Sequence, residues 1–148
     1  MDYEVAENRI KQIISTSQGI HALQNTVAYL YDNFDKYTWI GIYIVNGDNL
    51  VLGPWKGDQA TEHVKIPIGK GICGSAAASG RTEIVHDVNA DKRYLACFVS
   101  TKSEIVVPIK KYDTVIGEID IDSDKKDAFT RIDKEFLEKI ADMLSQHI

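Results

Sequence analysis

Apolar residues recur at helical spacing near the N-terminal end of the chain. Ile10, Ile13 and Ile14 form a first stripe, and a second stripe begins after Gly19. The second stripe consists of Leu23, Val27, Leu30 and Phe34. Each stripe gives a helix one apolar face, so residues 1–35 are predicted to form two helices that pack on another layer.

A further helix is predicted near the C-terminal end. Thr130 and Asp133 have the spacing of a capping box, in which each side chain accepts a hydrogen bond from the backbone of the other residue. The apolar positions that follow share one helix face and are Phe136, Leu137, Ile140, Met143 and Leu144. This pattern predicts a closing amphipathic helix.

Between these helices the pattern becomes that of strands. Residues 37–45 are aromatic and β-branched, and Asn46-Gly47-Asp48 separates them from residues 50–52, which predicts a β-hairpin. Further strands are predicted at residues 63–68, 83–86, 103–109 and 114–122. The order of elements predicts an α+β domain, with about six strands in an antiparallel sheet and helices on one side of it.

Two segments on this sheet do not follow a strand pattern. Residues 75–79 are small and alanine-rich, which predicts a short helix ended by Gly80. Residues 87–101 lack clean periodicity and are predicted to form a long loop or a partial helix. Loops of this length in a small domain are usually functional.

The composition is that of an ordinary globular protein. Of 148 residues, 44% are hydrophobic and 26% are charged, which predicts a single domain over residues 1–148. The net charge of −5 gives no general basic field, so no nucleic-acid partner is expected. Residues 37–45 form the longest near-apolar run, too short for a membrane span, and no secretory signal is visible. We therefore expect a cytoplasmic protein with no membrane partner and with reduced thiols.

Carboxylates alternate along one predicted strand. Glu118, Asp120 and Asp122 share a face there, and a three-residue loop at 111–113 would place Glu104 opposite Asp120. One interpretation is a solvated sheet face. The other is a packed acidic cluster whose members raise one another's pKa, so that it binds an ammonium group and keeps a proton to donate.

The two cysteines allow two interpretations. Cys73 lies between Gly71 and Gly74 near a predicted helix N-terminus, where the helix dipole should lower the pKa of a thiol. Cys97 lies within the long loop. Both could be small buried hydrophobic residues, or they could form a redox couple, and the residues alone leave both open.

Two aromatic residues of the first predicted strand, Trp39 and Tyr43, lie on one face because they are two strand repeats apart. Residues of this kind usually fill the core. An aromatic wall for a small ligand is the alternative.

Gly69-x-Gly71-x-x-Gly74, followed by Asp87, has the spacing of a dinucleotide-binding fingerprint. That motif needs a strand before it and a parallel strand after it, whereas here about 60 residues of helix and hairpin come first. A glycine-rich turn that leads into a short helix fits better, so no nucleotide cofactor is expected.

Metal motifs are also incomplete. Asp120-x-Asp122-x-Asp124 resembles the start of an EF-hand loop, but Lys125 and Arg131 stand where glycine and glutamate are needed. The four histidines lack ligand spacing with the cysteines and are His21, His63, His86 and His147. No metal is therefore expected.

Taken together, these motifs resemble those of the GAF-domain free methionine-R-sulfoxide reductases. The segments that carry the resemblance are residues 39–43, 52–57, 66–74, 94–97, 103–109 and 117–123. They cover nearly the whole chain in the right order, and the spacing of 24 residues between Cys73 and Cys97 is the most diagnostic feature.

The resemblance implies a GAF fold, with the N- and C-terminal helices on one sheet face and a loop-covered ligand pocket on the other. It implies reduction of free L-methionine (R)-S-oxide with a thioredoxin-like electron donor and no cofactor. Cys97 would be the nucleophile that becomes a sulfenic acid, and Cys73 would then form a disulfide with it. The implied substrate contacts are Glu104, Asp120 and Asp122 for the polar groups, with Glu104 and Asp122 also catalytic, and Trp39 and Tyr43 for the methyl group and side chain.

Two positions depart from the family pattern. His63 stands where the family commonly has a third cysteine, so Cys73 is the resolving residue if an intramolecular disulfide forms. Phe98 stands where Asp is usual and makes the loop more apolar. The alternatives to an enzyme are a non-catalytic GAF module that binds a small molecule, and a dimerisation domain that uses the N-terminal helices. The cysteine pair and the absence of an attached effector domain favour the enzyme, and a homodimer is compatible with it.

Overall fold

Alternation of side chains along six strands produces a sheet with two different faces. The structure is a computed structural model that describes residues 1–95 and 98–148. Its strands are β1 (Trp39–Asn46), β2 (Asn49–Gly57), β3 (Lys65–Pro67), β4 (Glu83–Val85), β5 (Ser103–Lys111) and β6 (Thr114–Ser123). They pair antiparallel in the order β3-β2-β1-β6-β5-β4, which confirms the predicted sheet. The second strand is longer than predicted and the third is shorter.

Helices cover both faces of this sheet unequally. They are α1 (Tyr3–Ser15), α2 (Ile20–Asn33), α3 (Gly71–Ser79) and α4 (Arg131–Leu144). The apolar stripes of α1, α2 and α4 pack on one face, against inward residues such as Ile40, Ile42 and Ile121. The predicted packing of the N- and C-terminal helices is thus confirmed. The expectation that all helices lie on one side is wrong, because α3 packs on the other face.

The buried carboxylate of Asp133 ties the helical layer together. It accepts hydrogen bonds from Lys36 Nζ at 2.7 Å, Tyr37 Oη at 2.6 Å and Tyr3 Oη at 2.9 Å. It also completes the predicted capping box with Thr130. Burial alone would raise the pKa of Asp133, but these hydrogen bonds outweigh it and lower that pKa below its ordinary value.

The hairpin between β5 and β6 differs from the predicted one. Its turn has two residues, Tyr112 and Asp113, both with positive φ (51° and 63°), which matches the right-handed twist of the strands. A bulge follows at Ile116, between the pairs Lys110–Val115 and Ile109–Gly117. As a result Glu104 lies opposite Asp122, and the predicted pairing with Asp120 is wrong. Glu104 lies on the same sheet face as Asp120 and Asp122 in either register.

The long loop before β5 contains a 3₁₀ turn at Val88–Ala90. Ala96 and Cys97, which belong to the same predicted loop, lie outside the described residues. Within the described residues, no helix combines the length and apolar character needed to cross a membrane.

Candidate active site

A cavity lies between α3 and the sheet face that the other three helices leave uncovered. Strand, helix and loop residues all line it: Trp39, Tyr43, Thr61, His63, Ile66, Ile72, Cys73, Tyr94, Leu95, Phe98, Glu104, Asp120 and Asp122. The structure therefore brings together every predicted site residue within its described parts. Cys97, the predicted nucleophile, lies outside them.

One wall of the cavity is aromatic. Trp39 stacks on Trp55 with ring centroids 6.2 Å apart, and its centroid lies 6.0 Å from that of Phe98. Gly41 and Gly57 lie beneath the indole, so close that a Cβ on either would come within 2.4 Å of it. Trp39 is therefore seated on backbone and presented to the cavity, as the aromatic-wall interpretation requires.

Tyr43 continues this wall. Its hydroxyl donates a 2.7 Å hydrogen bond to the backbone oxygen of His63, which anchors the loop before β3 to the floor of the cavity. His63 and Thr61 both line the cavity from that loop. The sequence marked His63 as a departure from the family but contained no signal for Thr61, because a loop without periodicity does not predict which way its residues face.

Beside the aromatic residues, the same sheet face is acidic, because β1 pairs with β6 and Trp39 lies next to Asp122. Glu104 on β5 and Asp120 and Asp122 on β6 are almost completely buried, and Asp122 accepts a 3.3 Å hydrogen bond from Thr101 Oγ1. The intervening Ile119 and Ile121 point into the helical core. The solvated-face interpretation of this strand is wrong, and the packed cluster is confirmed.

Burial raises the pKa of both Asp120 and Asp122 above their ordinary values. Charge repulsion from Asp120 adds to the effect on Asp122, whereas hydrogen bonding with Glu104 opposes it at both residues. The raised pKa values favour the protonated form within this cluster. The cluster can both hold a cation and donate a hydrogen bond.

Cys73 is the third residue of α3 and faces the same acids. Its Sγ lies 4.0 Å from Glu104 Oε2. Burial raises the pKa of the Cys73 thiol well above its ordinary value, and the charges of Asp120, Glu118 and Glu104 raise it further. The prediction that the helix dipole lowers this pKa is therefore wrong, because one helix end is weaker than desolvation combined with nearby carboxylates.

Within the described residues, one group has donor atoms close enough together to hold a metal ion. It consists of Cys73, Glu104 and Asp120, whose donor atoms lie within 4.8 Å of one another. The same donors suit an ammonium group, which needs no ordered coordination shell. The expectation of a metal-free site stays a prediction.

Comparisons with known proteins agree with this geometry. The GAF domain family matches residues 19–148. A free methionine-R-sulfoxide reductase of Escherichia coli is 37% identical over 124 residues, which cover 84% of this chain and 74% of that protein. The chain belongs to the GAF-domain free methionine-R-sulfoxide reductase family. The resemblance and the GAF fold inferred from the sequence are thereby confirmed.

Solved structures of this family superimpose closely on the chain. The free methionine-R-sulfoxide reductase of Neisseria meningitidis, in complex with its substrate, is 34% identical with a TM-score of 0.92 and covers 98% of this chain and 87% of its own. The reduced form of fRMsr of Staphylococcus aureus is 41% identical with a TM-score of 0.91, and the shares are 99% and 94%. The roles of individual site residues stay predictions.

Proposed function

We propose that this chain reduces free L-methionine (R)-S-oxide to L-methionine with thiols as the source of electrons. The observation that carries the proposal is a cavity in which an indole and buried carboxyl groups with raised pKa values share one sheet face, with a thiol from α3 that lies 4.0 Å from the carboxyl group of Glu104. This combination suits a small zwitterion that has an apolar methyl group and a polar S=O group.

Substrate binding would divide between the aromatic and the acidic side chains. The ammonium group of a free amino acid is attracted to the ionised members of Glu104, Asp120 and Asp122, whereas Trp39 and Tyr43 contact the methyl group and the side chain. A member that keeps its proton donates it to the sulfoxide oxygen as sulfur is attacked. A peptide-bound methionine sulfoxide has no free ammonium group, which accounts for selectivity toward the free amino acid.

The redox steps would use both cysteines. Cys97 attacks the sulfoxide sulfur, methionine leaves, and Cys97 retains the oxygen as a sulfenic acid. Cys73 then displaces that oxygen as water and forms a disulfide with Cys97, which a thioredoxin-like dithiol reduces. The raised pKa of the buried Cys73 thiol supports the resolving role for this residue, because a thiol that stays protonated is a poor first nucleophile.

A thiol cycle of this kind suits a reducing compartment, in agreement with the cytoplasmic location expected from the sequence. His63 lies in the cavity wall in place of a third family cysteine, so within this proposal the cycle runs through Cys73 alone. A homodimer is compatible with the proposal.

The test is an assay of the reduced protein with three substrates, namely free methionine-(R)-sulfoxide, free methionine-(S)-sulfoxide and a peptidyl sulfoxide. Dithiothreitol supplies electrons first, and thioredoxin with its reductase supplies them second. We expect turnover of the free R form alone. Absence of turnover of that form by folded, fully reduced protein would refute the proposal, and equal turnover of the peptidyl sulfoxide would refute the role of the acidic side chains.

A further inference from the structure

Glu118 is a buried acid that the proposed reaction does not use. It lies on β6 between Tyr43 of β1 and Pro108 of β5, and its exposed fraction is 0%. It shares the face of Asp120 but does not line the cavity. Glu118 and the Cys73 thiol influence each other's pKa, and the thiol belongs to α3, which packs on this sheet face.

The carboxyl group of Glu118 has few partners. Both of its oxygens are buried, and neither makes a well-formed hydrogen bond with any residue in the described part of the chain. Burial and the charge of Asp120 raise its pKa well above the ordinary value, and only the Cys73 thiol opposes that effect. An unpaired carboxylate in such a place would be costly, so these surroundings favour the protonated form of Glu118.

The surroundings of Cys73 disfavour the negatively charged form of its sulfur. Reduction of a disulfide between Cys73 and Cys97 would release the buried sulfur as a thiolate, surrounded by Glu104, Asp120 and Glu118. A thiolate with a high pKa is a slow leaving group. The departure of this sulfur therefore requires a proton at the moment when the sulfur–sulfur bond breaks.

We propose that Glu118 donates this proton to the Cys73 sulfur and so makes the enzyme reducible. The inference rests on the proposed function. A thiolate of the dithiol reductant attacks Cys97, the disulfide bond breaks, and its electron pair stays on Cys73. That sulfur takes the Glu118 proton and becomes a thiol, and Glu118 becomes a carboxylate that regains a proton from solvent. The second thiol of the reductant then releases Cys97, and the reductant departs as a disulfide.

Position distinguishes Glu118 from the other acids around Cys73. Glu104 and Asp120 line the cavity and act on the substrate in the proposed reaction. Glu118 is completely buried and is not among the residues that line the cavity. The titratable groups around it are Cys73 from α3, Asp120 from its own strand and Tyr43 from β1, while β5 presents Pro108 at the paired position.

The test separates disulfide reduction from methionine chemistry. Wild-type protein, Glu118→Gln, Glu118→Asp and Glu104→Gln are oxidised with diamide in the absence of methionine sulfoxide, and thiol titration with peptide mapping identifies the disulfide. Reduction by dithiothreitol is then followed by stopped-flow measurement at pH 7. Glutamine has the size and charge of a protonated glutamate but cannot donate its proton, and thermal unfolding verifies that each variant is folded.

We expect Glu118→Gln to slow disulfide reduction by about 10-fold or more, the lower range for loss of a general acid, and Glu118→Asp to restore part of the rate. Methionine formation in a single turnover of pre-reduced protein is measured in parallel. The ratio of the disulfide-reduction rate to the methionine-formation rate should fall in Glu118→Gln, because only the reductive step needs this proton. A wild-type reduction rate in Glu118→Gln, or the loss in Glu104→Gln alone, would overturn the inference, as would failure of Cys73 and Cys97 to form a disulfide.

Wild-type protein provides a second readout that does not depend on a substitution. The rate constant per reductant thiolate should fall as pH rises through the pKa of Glu118, because acid catalysis is lost when the donor ionises. The same profile in Glu118→Gln should lack this decrease, whereas a decrease in both proteins would assign it to another group. Loss of methionine formation with normal disulfide reduction would refute the proposed function and leave the Glu118 inference intact.

Discussion

Gly41→Ala should displace the indole of Trp39 into the cavity. A Cβ at this position would lie 2.3 Å from Trp39 Cη2 and 2.7 Å from Cζ3. Because carbon atoms in ordinary contact are about 3.5–4.0 Å apart, the ring must move by about 1 Å or more. It cannot slide across β2, because Gly57 lies beneath the other end of the indole with the same lack of space.

A displacement of about 1 Å in a wall that orients substrate can lower activity by about 100-fold. We therefore expect kcat/KM for free methionine-(R)-sulfoxide to fall by about that factor in Gly41→Ala. The overpacked wall should also lower the free energy of unfolding by about 1–3 kcal/mol. Steady-state kinetics with a thioredoxin-coupled assay and urea unfolding measure the two effects separately.

Two further variants make this prediction specific. Gly47→Ala lies in the same hairpin at φ +62° with no atom within 4 Å of the added Cβ, so it costs about 1 kcal/mol of stability from backbone strain alone and leaves kcat/KM unchanged. Trp39→Phe, added to Gly41→Ala, removes the outer indole atoms and should recover part of the lost activity. Wild-type kcat/KM in folded Gly41→Ala would refute the role of Trp39 as a substrate wall, and an equal loss in Gly47→Ala would refute the steric explanation.

The remaining predictions concern three other sites. Cys97→Ser should abolish methionine formation, whereas Cys73→Ser should complete one stoichiometric turnover and lose thioredoxin-coupled cycling; swapped phenotypes would reverse the two roles. Glu104→Gln should lower kcat/KM by about 100-fold with an unchanged circular dichroism spectrum, and wild-type kinetics would exclude it from substrate binding. Asp133→Asn should lower the free energy of unfolding by about 3 kcal/mol at pH 7, since it leaves buried partners without a charged acceptor. The folded-state pKa of Asp133 lies below its unfolded value of about 3.9. The stability that ionised Asp133 contributes is therefore complete above about pH 3.9 and is lost as the pH falls through the folded-state pKa. Urea unfolding should accordingly find that the stabilities of wild-type protein and Asp133→Asn converge in acid.

Side-chain periodicity was sufficient to predict the sheet and the face of its acids. The alternation of Asp120 and Asp122 with isoleucines assigns the carboxylates to one face whatever the neighbouring strand does. Pairing between strands was not predictable in the same way. The register of Glu104 depends on a two-residue turn with positive φ and on a bulge at Ile116. No glycine or Asn-Gly pair marks the turn, and the glycine beside the bulge, Gly117, does not by itself define how the strands pair.

The packing of α3 on the sheet also determines the direction in which the pKa of Cys73 shifts. Its place near a helix N-terminus was readable from the glycines around it, and by itself that place lowers the pKa of a thiol. The opposing effect comes from Asp120 and Glu104, which are 47 and 31 positions away in the chain and become neighbours only when α3 packs on the sheet. Sequence reasoning found each of these residues but could not weigh one effect against the other.

Buried acids on the two faces of the sheet have pKa shifts in opposite directions, and this contrast indicates which acids are available for proton transfer. On the helical side, Asp133 is surrounded by donors from Tyr3, Lys36 and Tyr37, and the balance keeps it ionised. On the cavity side, Glu118 makes no well-formed hydrogen bond within the described residues, and burial raises its pKa well above the ordinary value. Replacing the acid with its amide should therefore cost stability at Asp133, whereas at Glu118 it removes a transferable proton at little cost in stability. A buried acid has a structural role where the fold supplies its donors, and it is available for proton transfer where the fold withholds them.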